Sequence, residues 1–173
     1  MLKIKLICIF ILCIIITTSC TLLGETTMTS NDTIIATETF EKIRIAIDTK
    51  NAVALKELFS VNVCNSVENI GEDIEYLFEM IQGKIILYPE KILAVTRNEY
   101  NHGDVQIISK SWDYFETDQK EKFYFCFIEC TKDTENPDNE GLSMLQILRA
   151  DSTLTEHDPR FTAECIGIYR DNQ

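Results

Sequence analysis

At Gly83 the apolar residues of this 173-residue chain change period, which confines it to few architectures. Before Gly83 they recur at helical intervals. Ala36, Phe40, Ile43 and Ile47 fall at i, i+4, i+7 and i+11 and define one face of a helix between Ile35 and Asp48. A short helix is expected in "KNAVALKELFS", with Val53, Leu55, Leu58 and Phe59 as the burying residues. Asn65 and Glu68 have capping-box spacing ahead of a third helix carrying Ile70, Ile74, Leu77, Phe78 and Ile81, with Gly83 as its stop. Beyond that glycine, "KIILYPEKILAV", "DVQIISKSWDYFE", "KFYFCFIEC", "LSMLQILRA" and "ECIGIYR" are rich in β-branched and aromatic residues and separated by polar turns. Helices first and strands afterwards predict an α+β domain whose helices cover one face of a mostly antiparallel sheet. Long strands accumulate twist, so the sheet should curl.

The N-terminus has a separate logic. Lys3 and Lys5 precede an uninterrupted apolar run from Leu6 to Ile16, and Thr17, Thr18 and Ser19 precede Cys20. Charged, apolar and small-residue regions in that order read as a secretory signal peptide over residues 1–19. The apolar run is too short to cross about 30 Å of hydrocarbon. Ser19 and Cys20 resemble the bacterial lipobox, in which the cysteine carries the lipid; Thr17 departs from it where leucine is usual. Residues 20–32 are polar and threonine-rich and read as a lipidated flexible tether, leaving 33–173 as one domain. The expected location is extracytoplasmic, on the bacterial cell membrane. Loss of residues 1–19 removes two lysines and no acids, moving the net charge from -12 to -14. So acidic a chain repels phosphate backbones, which excludes nucleic acid as a partner class, and it has no electrostatic affinity for anionic headgroups.

Motifs for chemistry are sparse. In "TKDTENPDNEGL" an EF-hand counted from Asp133 would meet Pro137 at its fifth position and Asp138, not glycine, at its sixth. Proline, Asn139 and Gly141 between two apolar runs read instead as a solvated hairpin turn, and no metal is expected. Cys126 and Cys130 on one strand stand about 13 Å apart and cannot bridge each other. Each can reach Cys64 or Cys165, or all four are small buried residues. His102 and His157 fall in turn-like segments. Asp113 and Glu129 are acids among apolar neighbours, Asp113 being the better candidate because tyrosines adjoin it, with the solvent face of an alternating strand as its alternative. Phe123, Phe125 and Phe127 alternate with Tyr124, Cys126, Ile128 and Cys130, so both faces of that strand are largely apolar. One face should pack on helices. The other is free for a dimer partner or a second protein, unless other parts of the chain cover it.

"KNAVALKELFS" resembles the second-helix signature of the nuclear transport factor 2-like (cystatin-like) superfamily. "LFEMIQGKI", "DTENPDNEGL" and the terminal "GIY" together resemble a family of bacterial lipoproteins catalogued as domain of unknown function 5104, over about Ile35 to Tyr169. The resemblance implies a cone in which N-terminal helices pack in the concave face of a strongly bent sheet. It brings no catalytic residue and no cofactor. Two functions follow as expectations. The first is a non-catalytic lipoprotein, lipidated at Cys20, that binds a small apolar ligand or a protein partner through Trp112, Tyr114, Tyr124, Phe125 and Phe127. The second is an extracytoplasmic enzyme using Asp113 with Tyr114 or Tyr124 as an acid/base pair.

Overall fold

The structure, a computed structural model, describes residues 25–27, 30–99, 104–150 and 167–169. Among them the chain runs β1 (Glu25–Thr27), α1 (Ser30–Asp48), α2 (Ala52–Lys56), α3 (Val61–Ser66), α4 (Ile70–Met80), β2 (Ile85–Leu87), β3 (Val95–Glu99), β4 (Val105–Thr117), β5 (Lys122–Asp133), a 3-10 turn (Pro137–Asn139), β6 (Gly141–Arg149) and β7 (Gly167–Tyr169). The fold is therefore α+β, with four helices and one mixed seven-stranded sheet, ordered β1-β3-β4-β5-β6-β7 with β2 on β4. Every pairing is antiparallel except β6 with β7. Because β4 has 13 residues, β3 pairs with its first part and β2 with its end.

Strand alternation sorts the core. Phe123, Phe125 and Phe127 are at most 1% exposed. Phe125 stacks on Phe40 of α1 with ring centroids 4.3 Å apart, and Phe115 stacks on Phe123 at 5.2 Å. Ala36, Phe40, Ile43 and Ile47 are all buried, as the helical spacing requires. On the opposite face Cys126, Met144 and Leu148 are also buried within the single chain. That stretch is thus not the exposed apolar surface on which a dimer or partner face was expected.

Several sequence expectations shift. Glu25–Thr27, inside the segment read as tether, pairs with Thr96–Asn98, and α1 begins at Ser30. Backbone pairing by a threonine-rich stretch leaves no side-chain period to read. Val53 is exposed, because α2 has only five residues and Leu55 alone points fully inward. Asn65 caps nothing: it lies inside α3, whose N-cap is Ser60, with Oγ accepting from the Val63 N–H at 3.2 Å. The stretch "KIILYPEKILAV" is a strand at Ile85–Leu87 and again at its last residue, Val95, where the next strand begins after Pro89. The signal segment, Cys20, His102, His157 and Cys165 lie outside the described residues, as does the Trp112 side chain. Among the described residues no helix is long and apolar enough to cross a membrane.

The C-terminus of α4 is capped from a distance. Lys50 donates from Nζ to the Ile81 carbonyl at 2.6 Å and also to that of Phe78, while Arg149 donates to Met80 at 2.8 Å. α4 carries no base in its own last turn, so these two cations satisfy its terminal carbonyls.

Candidate ligand cleft

A cleft of about 480 Å³ opens on the sheet face opposite α1. Cross-strand register builds its floor. Arg97, Ile107 and Cys130 form one row across β3, β4 and β5, and Val95, Ser109 and Ile128 form the next. α3 supplies the facing wall with Ser60, Asn62, Val63 and Ser66. It reaches this position because the preceding segment docks on β6: Leu142 N–H donates to the Leu58 carbonyl at 2.8 Å, and Ser60 N–H to that of Leu142 at 3.1 Å. The floor is largely apolar, interrupted by Arg97 and Ser109, and the rim carries hydroxyls, amides and the Asp133 carboxylate.

One rim is held by a carboxylate. Asp133 Oδ1 accepts from the backbone N–H groups of Glu135 and Asn136 at 3.1 and 2.9 Å, and Oδ2 accepts from Asn139 Nδ2 at 2.8 Å. Asn139 Oδ1 in turn accepts from Asn62 Nδ2 at 2.6 Å, tying the hairpin to α3. These donors, Asn139 first and then the Asn136 N–H, hold the Asp133 carboxyl below its usual range. "TKDTENPDNEGL" is therefore a turn organised by Asp133, with Gly141 at φ +122°. Cys130 also lines the cleft, and burial pushes its thiol up, away from the reactive thiolate.

The aromatic residues singled out from sequence do not form this site. Phe125 and Phe127 belong to the core, because alternation points them at α1. Tyr114 and Tyr124 pair on the opposite face, outside the cleft, with Lys122 Nζ 3.9 Å from the Tyr114 ring centroid and 5.7 Å from that of Tyr124. Nor does the acid/base pair assemble. Asp113 sits opposite Phe125 in the register and its neighbour Tyr114 opposite Tyr124, so their side chains alternate to different faces. Asp113 instead approaches Lys110, which is 3% exposed, at 3.4 Å. Cys130, Asp133 and Asn139 drew notice in the sequence for other reasons, and the remaining cleft residues were missed because none is unusual alone; only strand register brings them together.

Glu129 is the other acid of interest. The Thr39 hydroxyl of α1 donates to its Oε2 at 2.8 Å. Burial pushes its pKa up, opposed by the Thr39 hydrogen bond and by Lys42. A carboxyl with a raised folded-state pKa costs nothing at pH values below its unfolded pKa. It destabilises progressively as pH rises from the usual glutamate range through the raised value. Glu129→Gln keeps an acceptor for Thr39. It should raise the melting temperature by about 2–4 °C at pH 7 and leave it unchanged near pH 3, read by thermal denaturation across pH.

The profile of a family described as Domain of unknown function (DUF5104) matches residues 42–151, well over half of the chain. No curated protein matches.

Proposed function

The chain belongs to the DUF5104 family, and from that premise we propose an exported lipoprotein, anchored through Cys20, whose domain binds a small ligand without chemistry. The observation that carries the binding reading is the cleft: its volume of about 480 Å³ lies in the range of small-molecule sites, and its largely apolar lining, with Arg97 on the floor and hydroxyls, amides and Asp133 at the rim, suits an apolar body carrying a few polar groups. The anchor rests on the leader and on Ser19–Cys20, and a lipid mass adduct should vanish in Cys20→Ser. We also read the fold as nuclear transport factor 2-like, supported by helices that precede a mostly antiparallel sheet and by the packing of α1 on β4 and β5.

The cleft is tested with a neutral apolar fluorophore, N-phenyl-1-naphthylamine. Its emission should rise and saturate at one equivalent. Ile107→Trp, which sets an indole on the floor, should weaken binding at least about tenfold by filling the space the fluorophore needs. Tyr114→Ala, outside the cleft, should leave binding unchanged. Equal saturation in Ile107→Trp would remove the cleft as the site.

A further inference from the structure

The anchor and the cleft meet at one edge of the sheet. β1 is the outermost strand of the order β1-β3-β4-β5-β6-β7, and its register sets Glu25 opposite Asn98, Thr26 opposite Arg97 and Thr27 opposite Thr96. Arg97 belongs to the cleft floor, so the backbone of Thr26 lies about 5 Å from it, the spacing of neighbouring strands. Cys20 precedes Glu25 by five residues. Five residues reach at most about 18 Å, whatever path they take. A chain unpaired as far as Ser30, where α1 begins, would have about twice that reach. Pairing by β1 therefore shortens the tether at the strand that borders the cleft.

We propose that β1 holds the cleft beside the membrane and that the cleft takes up a single-chain amphiphile from the bilayer surface, an inference that rests on the Cys20 anchor and the ligand cleft proposed above. Val105, which lines the cleft, is opposite Glu99, next to the partner of Glu25. The other end of β4 stands away from the anchor: over 13 residues, Thr117 lies about 40 Å from Val105. The lining suits such a ligand. Val95, Val105, Ile107 and Ile128 accept an acyl chain, and Asn62 and Asn139 stand at the rim for a polar head. Val95 is 38% exposed on the strand that β1 pairs with, an apolar entry to the floor. A second acyl chain would be left in water, because Cys126, Met144 and Leu148 on the same sheet face are already covered. The net charge of -12, or -14 once the two leader lysines are lost, selects a zwitterionic or neutral head over an anionic one.

The test places the lipidated full chain, ¹³C-labelled at valine and isoleucine methyls, in phosphatidylcholine nanodiscs that contain lysophosphatidylcholine with a nitroxide on its acyl chain. Methyls of Val63, Ile107 and Ile128 should relax strongly. Those of Val53 and Ile86 should not, although both are exposed, because they lie by the ends of α1 and β4 remote from β1. Ile107→Trp should abolish the relaxation at Val63 and Ile128. Inserting about ten glycine and serine residues between Cys20 and Glu25 lengthens the tether without touching the domain, and should cut the relaxation severalfold while N-phenyl-1-naphthylamine saturates as before. Equal relaxation at Val53 and Ile86, an undiminished effect with the long tether, or an unmodified Cys20 each overturns the proposal. If the fluorophore saturates but the cleft methyls do not relax, the cleft stands and its supply from the membrane falls. If the fluorophore does not saturate either, the cleft reading itself fails and takes the proposal with it.

Discussion

Gly141→Ala should lower stability by about 3–5 kcal/mol and the melting temperature by about 10 °C or more, read by thermal and denaturant unfolding. Two costs coincide there. Gly141 has φ +122°, a conformation that side chains rarely adopt. An added Cβ would also lie 2.8 Å from Ser60 N, 3.0 Å from Leu58 O and 3.1 Å from Phe59 C. All three are backbone atoms of the segment docked on β6, so no side chain can swing aside. Relief requires that segment to lift away, and α3 goes with it. The same substitution should therefore abolish fluorophore binding in the cleft. Gly71→Ala is the control: within α4 an added Cβ meets nothing within 4 Å, and the change should be neutral or stabilising by up to about 1 kcal/mol.

Phe125→Ala should cost about 3–5 kcal/mol, because a fully buried ring leaves a cavity that its neighbours fill only in part. The neighbours are specific: Phe40 stacked at 4.3 Å and Phe115 tilted at 6.1 Å. Tyr114→Ala, at a residue 38% exposed, should change stability far less, within about 1 kcal/mol. The contrast separates two roles for the aromatic run. Were Phe125 a ligand-binding residue, its loss would reduce binding with little effect on unfolding. In the core it does the reverse per molecule still folded.

The helical face of α1 and the strands β4, β5 and β6 were legible in the sequence, because each buries one face over many residues and so leaves a period. The alternation of Phe123, Phe125 and Phe127 gave the face of β5 that meets α1. β1 and β3 were not legible, since "ETT" and "VTRNE" are short and polar and are strands through their partners. The capping box at Asn65 failed because a spacing of three suits a helix interior as well as a cap, and Ser60 held the cap of α3. The cleft was hidden for a third reason. Arg97, Ile107 and Cys130 are ten and 23 positions apart in sequence, and only the register of β3, β4 and β5 sets them side by side. Asp113 and Tyr114 show the converse, since neighbours along a strand send their side chains to opposite faces.

The face of the sheet that receives the ligand is the central point. Intermolecular nuclear Overhauser effects from bound N-phenyl-1-naphthylamine to methyl groups decide it directly. Contacts to Val63, Val105, Ile107 and Ile128 are the result predicted, since these line the cleft. Contacts instead to Ile43, Leu77 and Leu145, buried in the core, would place the ligand between helices and sheet and contradict it.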